Sequence, residues 1–378
     1  MGGPGDRRFL IVAGEASGDA HAAKLLAALR ALGPCRARGV AGPALLAAGA
    51  ERVVPMEDLA VIGFSGVVAR LPRIWSAYRR LLEAARELRP HAAILVDSPG
   101  FNFRIGPALH HLGIPVFYYI APQVWAWHPE RAVEMARWVQ RLAVIFPFEE
   151  PLFRAAGVEA RFVGHPLLEG LEPEVDEAAF RAAAGAAPGA PVLGLLPGSR
   201  PQELRAHAPV MAAAARRLRE RRADLCVALA LAPGLEPRAW HLRRELEGVR
   251  LVTGRTRAVE RFSTCCAVAS GTATLETALF GTPEVVVYRT GWLNYQIARR
   301  VVTLERIGLP NIVAGEAVAP ELLQGSLTAE RLAESLAPWL DDPEARERQR
   351  GRLAVVRARL GGPGAARRAA EWLWEMVA

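Results

Sequence analysis

The feature that most limits this fold is a series of strand-length segments that are apolar from end to end, several leading through a short loop into a helical stretch. Leu10–Ala13 leads to a helix near His21–Leu32, and Ala92–Val96 to one near Ile105–Leu112; Val116–Ile120 and Leu142–Ile145 complete a first set. Strands apolar on both faces belong inside a parallel sheet covered by helices, because a sheet with one wet face alternates apolar and polar residues. From Glu169 to Pro191 the pattern stops in favour of acidic residues, then Ala, Gly and Pro, which reads as a linker with one short helix. Strands resume at Val192–Leu196, Leu225–Leu231, Ala267–Ala269 and Val285–Tyr288, and from about Thr328 the chain reads as helices only. The expected class is α/β: two doubly wound, Rossmann-like domains facing a cleft, over 1–168 and 190–345, followed by helices over 346–378. A chain of 378 residues suits two cores better than one.

Several classes drop out. No apolar run reaches the roughly 18 residues that mark a membrane-spanning helix. The first strand starts almost at once and is followed by Glu15 and Asp19, unlike a secretory leader, so a cytoplasmic protein is expected. Cys35, Cys226, Cys265 and Cys266 have no C-x-x-C spacing and read as reduced thiols. The eight histidines show no metal-ligand spacing, and neither a metal nor a cofactor is expected. A net charge of +8 favours anionic partners, but no nucleic-acid module is present.

In open parallel sheets ligands bind beyond the carboxyl ends of the strands, so those loops come first. Val192–Leu196 ends in Pro197-Gly198-Ser199-Arg200. Gly198 allows a tight turn, Ser199 can cap the next helix, and Arg200 can pair with a phosphate; an ordinary strand–helix turn reads equally well. Ala267–Ala269 ends in Ser270-Gly271-Thr272, with Glu276 one turn further on. Small residues let a phosphate approach the helix N-terminus, and Glu276 can accept from ribose hydroxyls. Alone this is a capped helix; two such loops in one domain point to a nucleotide diphosphate. Neither loop fits a Walker motif or G-x-G-x-x-G.

In the first half, Gly14-Glu15-Ala16-Ser17-Gly18-Asp19 also joins a strand to a helix, its two acids suiting sugar hydroxyls or a cap better than a phosphate. Asp97 closes Ala92–Val96, where a carboxylate is costly unless paired or functional. The bland alternative is an Asx-type turn. His165 and His128 read as structural or as ligand contacts, and Trp125 and Trp127 as core, a sugar platform or a lipid anchor. Between Val61 and Arg89, Val67, Val68, Leu71, Ile74 and Trp75 lie among Arg70, Arg73, Arg79 and Arg80. Such a stretch fits either a membrane interface or a core-packed helix with a solvated arginine face.

These segments, in this order, resemble lipid A disaccharide synthases from about Phe9 to the C-terminal helices. The matching segments are Ala13–Asp19, Asp97-Ser98-Pro99 with Phe101-Asn102, Pro122–Trp127, Pro147-Phe148-Glu149 and Val163–Pro166. Further on come Leu196–Arg200, Ser270-Gly271-Thr272 with Glu276, and Leu309-Pro310-Asn311. The resemblance implies a GT-B-type fold whose last helices cross back to the first domain. It also implies transfer of the acylated sugar of UDP-2,3-diacylglucosamine to the 6-hydroxyl of 2,3-diacylglucosamine 1-phosphate, giving a β-1,6-linked disaccharide and UDP. It places the enzyme peripherally at the inner leaflet of the cytoplasmic membrane. Asp97 matches the family's proposed general base and Glu15 a glutamate of its N-terminal site. Ser199, Arg200, Ser270, Gly271, Thr272, Glu276 and Asn311 fall where UDP is held. The chain departs from the family pattern at Gly100, often acidic there, and at Ala20-His21-Ala22-Ala23, which lacks glycine.

The implied inversion has Asp97 taking the acceptor proton while Arg200 and the helix start after Thr272 stabilise the leaving diphosphate, with no Mg²⁺ required. Two rivals remain at this level: a UDP-N-acetylglucosamine 2-epimerase-like enzyme, and a non-catalytic sugar-nucleotide or membrane-binding protein. Acyl length and oligomeric state, a homodimer included, stay open.

Overall fold

The computed structural model describes residues 6–59, 67–127, 129–291 and 306–378. The chain forms two compact units, one of Met1–Glu169 with Gly362–Ala378 and one of Gly170–Gly361. The sequence-level boundary at 346 falls inside a helix, Pro343–Arg359; the chain leaves the second unit only at Gly362.

In the first unit β1 (Arg7–Ala13), β2 (Cys35–Ala41), β3 (Glu51–Pro55), β4 (Ala92–Val96), β5 (Val116–Tyr119), β6 (Arg141–Val144) and β7 (Ala160–Phe162) form a parallel sheet in the order β3-β2-β1-β4-β5-β6-β7. The central strands are buried along their whole length, as their unbroken apolar runs require. The core lies between this sheet and helices such as Val67–Leu88 and Pro99–His111. The helix Ala365–Met376 packs on the helix Ala16–Leu32. It buries Trp372 edge-on against Phe117, with ring centroids 5.9 Å apart. Its N-terminus is capped from afar: Glu169 Oε1 accepts the backbone N–H of Gly364 at 2.7 Å and of Ala365 at 2.6 Å.

In the second unit β8 (Val192–Leu196), β9 (Cys226–Leu231), β10 (Arg250–Thr253), β11 (Cys265–Ala269), β12 (Glu284–Tyr288) and β13 (Glu321–Leu323) form a second parallel sheet, ordered β10-β9-β8-β11-β12-β13. The linker contains its one short α-helix, Glu177–Ala184, capped by Asp176 and closed by left-handed Gly185.

In both sheets the strand order reverses in the middle, between β1 and β4 and between β8 and β11. Chain leaving two such strands departs in opposite directions along the sheet and opens a crevice at their carboxyl ends. That topology, more than any single motif, selects four loops: those after β1 and β4 in one unit, and after β8 and β11 in the other.

Candidate active site

At the first reversal, β4 ends in Asp97 and Ser98, both in the left-handed region with φ of 46° and 44°. Two consecutive non-glycine residues there are strained, and the surroundings hold them in place. The Asp97 carbonyl accepts from Asn102 Nδ2 at 2.6 Å and Tyr118 Oη at 2.5 Å, while its N–H donates to the Tyr119 carbonyl. The backbone is pinned on both sides without help from the carboxyl group, which itself takes a hydrogen bond from the Ser98 backbone. Burial, then the charge of Glu15, pushes its pKa up to about 6. Glu15 follows β1 and is exposed, and the two loops are close: a Cβ on Gly14 would meet Ser98 Oγ at 2.9 Å.

The second acid of the β1 loop plays another part. Asp19 is buried and accepts the N–H groups of Gly42, Ala44 and Leu45, so it caps the helix Pro43–Ala47. Of the two acids expected to hold sugar hydroxyls, only Glu15 faces solvent.

The Pro122–Trp127 and Pro147–Glu149 segments meet as one structure. Glu149 is 1% exposed and accepts from Trp125 Nε1 at 2.9 Å and from the N–H groups of Ile145 and Phe146. Burial pushes its pKa up to about 7 against those bonds. Trp125 is thereby a core residue, its ring edge-on to Phe148; His128 and the Trp127 side chain lie outside the described residues. His165 is buried, held neutral by desolvation and accepting from Leu167 N–H at 3.2 Å. It is a structural histidine.

The helix Val67–Leu88 covers the basic apolar stretch, although the side chains of Val67, Val68 and Leu71 lie outside the described ones. Ile74 is a correction to the membrane-facing set, for it packs against the core of the unit. Trp75 is 61% exposed and stacks on Tyr78 at 5.4 Å. Among the described residues no helix is long and apolar enough to cross a membrane.

At the second reversal, Gly198 adopts φ 107°, where a Cβ would meet Glu203 Oε2 at 2.3 Å. Glu203 reaches back to accept the Arg200 N–H at 3.0 Å and pairs with its guanidinium at 3.3 Å. Ser199 is exposed and is not the cap; Arg200 occupies the cap position, with its side chain in solvent. Behind the loop His207 is wholly buried, Nδ1 donating to the Pro197 carbonyl at 2.8 Å and Nε2 accepting from Arg289 N–H at 2.9 Å. It ties the chain after β8 to the chain after β12, a role that no spacing in the sequence discloses.

After β11, Gly271 takes φ 152° and the helix Thr272–Phe280 begins, with Gly271 and Thr272 both exposed residues. Ser270 Oγ donates to the Ile307 carbonyl at 3.0 Å. Asn311 corrects the expectation of a UDP contact. Its amide donates to Ala319 O and Glu321 Oε1 and accepts from the N–H groups of Val318 and Ala319, which completes its usual set inside the fold. Glu321 in turn accepts the N–H groups of Ile307 and Gly308. Asn311 therefore shapes the wall behind Ser270.

Glu276 is half-buried and bonds Arg257 Nε at 3.2 Å. Glu260 is fully buried and, among the described residues, neither of its oxygens has a hydrogen-bond partner; burial pushes its pKa up to about 9. Arg257 and Glu260 gave no signal in the sequence, since one reads as a helix-start base and the other as a mid-helix acid.

The family described as lipid-A-disaccharide synthetase matches residues 9–367. A lipid-A-disaccharide synthase of Anaeromyxobacter sp. (strain K) is 47% identical over 369 residues, 96% of either chain. That of Geobacter metallireducens is 40% identical over 380 residues, covering 100% of this chain and 99% of its own. Among solved structures, a UDP-GlcNAc 2-epimerase of Neisseria meningitidis bound to UDP-GlcNAc superposes with TM-score 0.67 at 12% identity, covering 98% and 100% of the two chains. Acinetobacter baumannii MurG superposes with TM-score 0.58 at 14% identity, over 98% and 100%. The fold is that shared by GT-B glycosyltransferases and such epimerases.

Proposed function

The chain belongs to the lipid-A-disaccharide synthetase family, and from that premise we propose how its residues join two acylated glucosamines. The reaction is transfer from UDP-2,3-diacylglucosamine to 2,3-diacylglucosamine 1-phosphate, giving the lipid A disaccharide 1-phosphate and UDP.

The observation that carries the reading is Asp97. It ends a buried strand at a reversal point, on strained backbone, with its carboxyl pKa raised to about 6 by burial and by Glu15. A base that is ionised at neutral pH yet keeps appreciable proton affinity suits removal of a hydroxyl proton as the new C–O bond forms. Glu15, beside it, tunes that affinity and offers an acceptor for sugar hydroxyls. In the second unit, Gly271 and Thr272 offer backbone N–H groups to a diphosphate, and Ser270, whose own N–H and hydroxyl donate to the Val287 and Ile307 carbonyls, holds that turn and leaves room for it; exposed Arg200 and Ser199 add charge and a hydroxyl. Glu276 accepts from the ribose. With those fixed donors the departing UDP is stabilised as its charge builds.

The acyl chains of both substrates call for a peripheral contact with the inner leaflet. Exposed Trp75, beside Arg73 and Arg79 on the helix Val67–Leu88, supports it.

The test is transfer of radiolabelled acceptor in detergent, with Asp97→Asn and Glu276→Gln variants. Asp97→Asn should lose about 10²–10⁴ in kcat with UDP affinity intact, and Glu276→Gln should mainly raise KM for the donor. Near-normal turnover in Asp97→Asn refutes the base assignment. Conversion of UDP-GlcNAc alone, without acceptor, would favour epimerase chemistry instead.

A further inference from the structure

Beside Glu276 lies a charge cluster that the reaction scheme leaves unused. The helix Thr256–Phe262 starts on Glu174, whose two carboxylate oxygens accept the N–H groups of Arg257 at 3.1 Å and Ala258 at 3.0 Å. That fixes Arg257 at the helix start. Its side chain then makes two divergent bonds, Nη1 to the Gly170 carbonyl at 2.8 Å and Nε to Glu276 Oε1 at 3.2 Å. One turn on, Glu260 adds a second buried carboxyl group, so Glu260 and Glu276 share the charge of one guanidinium, with Glu174 close by at the helix start.

Burial, and then the charge of Glu174, hold the Glu276 pKa above its ordinary value, and the charge and hydrogen bond of Arg257 limit that rise. The charge state matters for a diol. Two vicinal hydroxyls present two donors to an ionised carboxylate, whereas a protonated acid turns one oxygen into a donor. We propose that Arg257 is a positioning residue for Glu276, keeping its carboxylate ionised and turned so that it accepts both ribose hydroxyls of the nucleotide. The proposal rests on Glu276 being the ribose ligand. Only a guanidinium meets the geometry: its fork reaches a carbonyl and a carboxylate at once, which the point charge of lysine does not.

The test is calorimetric titration of the full-length protein with UDP and with 2′-deoxy-UDP, comparing wild type, Arg257→Met, Arg257→Lys and Glu276→Gln, each checked for folding by its melting curve. Wild type should prefer UDP by about tenfold or more, the size of a hydrogen bond to a charged acceptor. Arg257→Met should shrink the preference to within about threefold, matching Glu276→Gln. Arg257→Lys keeps the charge and serves if the methionine variant fails to fold; its preference should drop at least about threefold. A folded Arg257 variant with the wild-type ratio overturns the proposal, since a merely structural role would not alter discrimination between two ligands. A wild type that binds both equally removes Glu276 as the ribose ligand, and the proposal with it. A wild type that binds neither sinks the nucleotide site as a whole.

Discussion

Asp97→Asn should inactivate the protein and stabilise it. Asparagine is nearly isosteric with aspartate and is among the residues that best tolerate the φ of 46° found here. The change therefore removes a charge without touching the backbone. In the folded chain the carboxyl group titrates at about 6, above an ordinary value of 3.8. Well below pH 3.8 it is protonated in both states and its ionisation has no effect. As the pH rises from there to about 6 the unfolded chain ionises first, so the fold loses stability, and above 6 the whole loss persists. A tenfold difference in proton affinity is worth about 1.4 kcal/mol, which sets that loss near 3 kcal/mol. For a unit of this size it corresponds to a melting point higher by about 6–12 °C in the variant. Scanning calorimetry at pH 8 and pH 5 reads it, with the gain at pH 5 falling to about half. A variant that melts at or below wild type at pH 8, or a gain that ignores pH, would mean that Asp97 is not the destabilised acid described here.

Glu15→Gln removes the like charge beside Asp97, so the acid limb of the kcat/KM profile should move to lower pH; a limb that stays put or moves up disproves the coupling. Glu149→Ala leaves three buried N–H donors without an acceptor, those of Trp125, Ile145 and Phe146. A loss of at least about 3 kcal/mol in urea unfolding is expected, and a change under about 1 kcal/mol would contradict it. Gly198→Ala forces a Cβ onto Glu203 at a φ of 107°, so KM for the donor should rise about tenfold through the displaced Arg200 loop. Unchanged donor kinetics would show that this turn is not part of the site. On the proposed reading Arg200 and a helix start meet the charge on the leaving diphosphate, so transfer should continue in EDTA, and its complete loss there would overturn that part of the scheme.

What the residues disclosed before the structure was that part of the fold governed by burial. β4, β5 and β8 are apolar throughout because both faces are covered, and they stand out without help. β2, β3, β10 and β13 do not: Cys35–Ala41 carries two arginines, and the other three sit at or beside sheet edges, where polar residues are tolerated and runs are short. The site divided the same way. Asp97 and Gly271 betray themselves as a polar residue and a glycine at strand ends. Asn311 misled, since a conspicuous polar residue in a loop is as often a bracket for backbone as a ligand contact. Arg257, His207 and Glu203 stayed hidden because their importance lies in what they touch once the chain has folded.

The helix Ala365–Met376 gives the chain an order of assembly. The first sheet is encoded almost entirely in residues 7–162, yet its cover at Phe117 is Trp372, and the carboxylate that caps that helix is Glu169. A ribosome therefore releases the N-terminal unit incomplete, with an apolar strand face bare, and must synthesise the whole second unit before closing it. That second unit, Gly170–Gly361, is contiguous and can fold in the interval. A chain cut short after residue 169 would lack its own lid, so dissecting this protein requires residues 362–378 to be spliced back onto the first half.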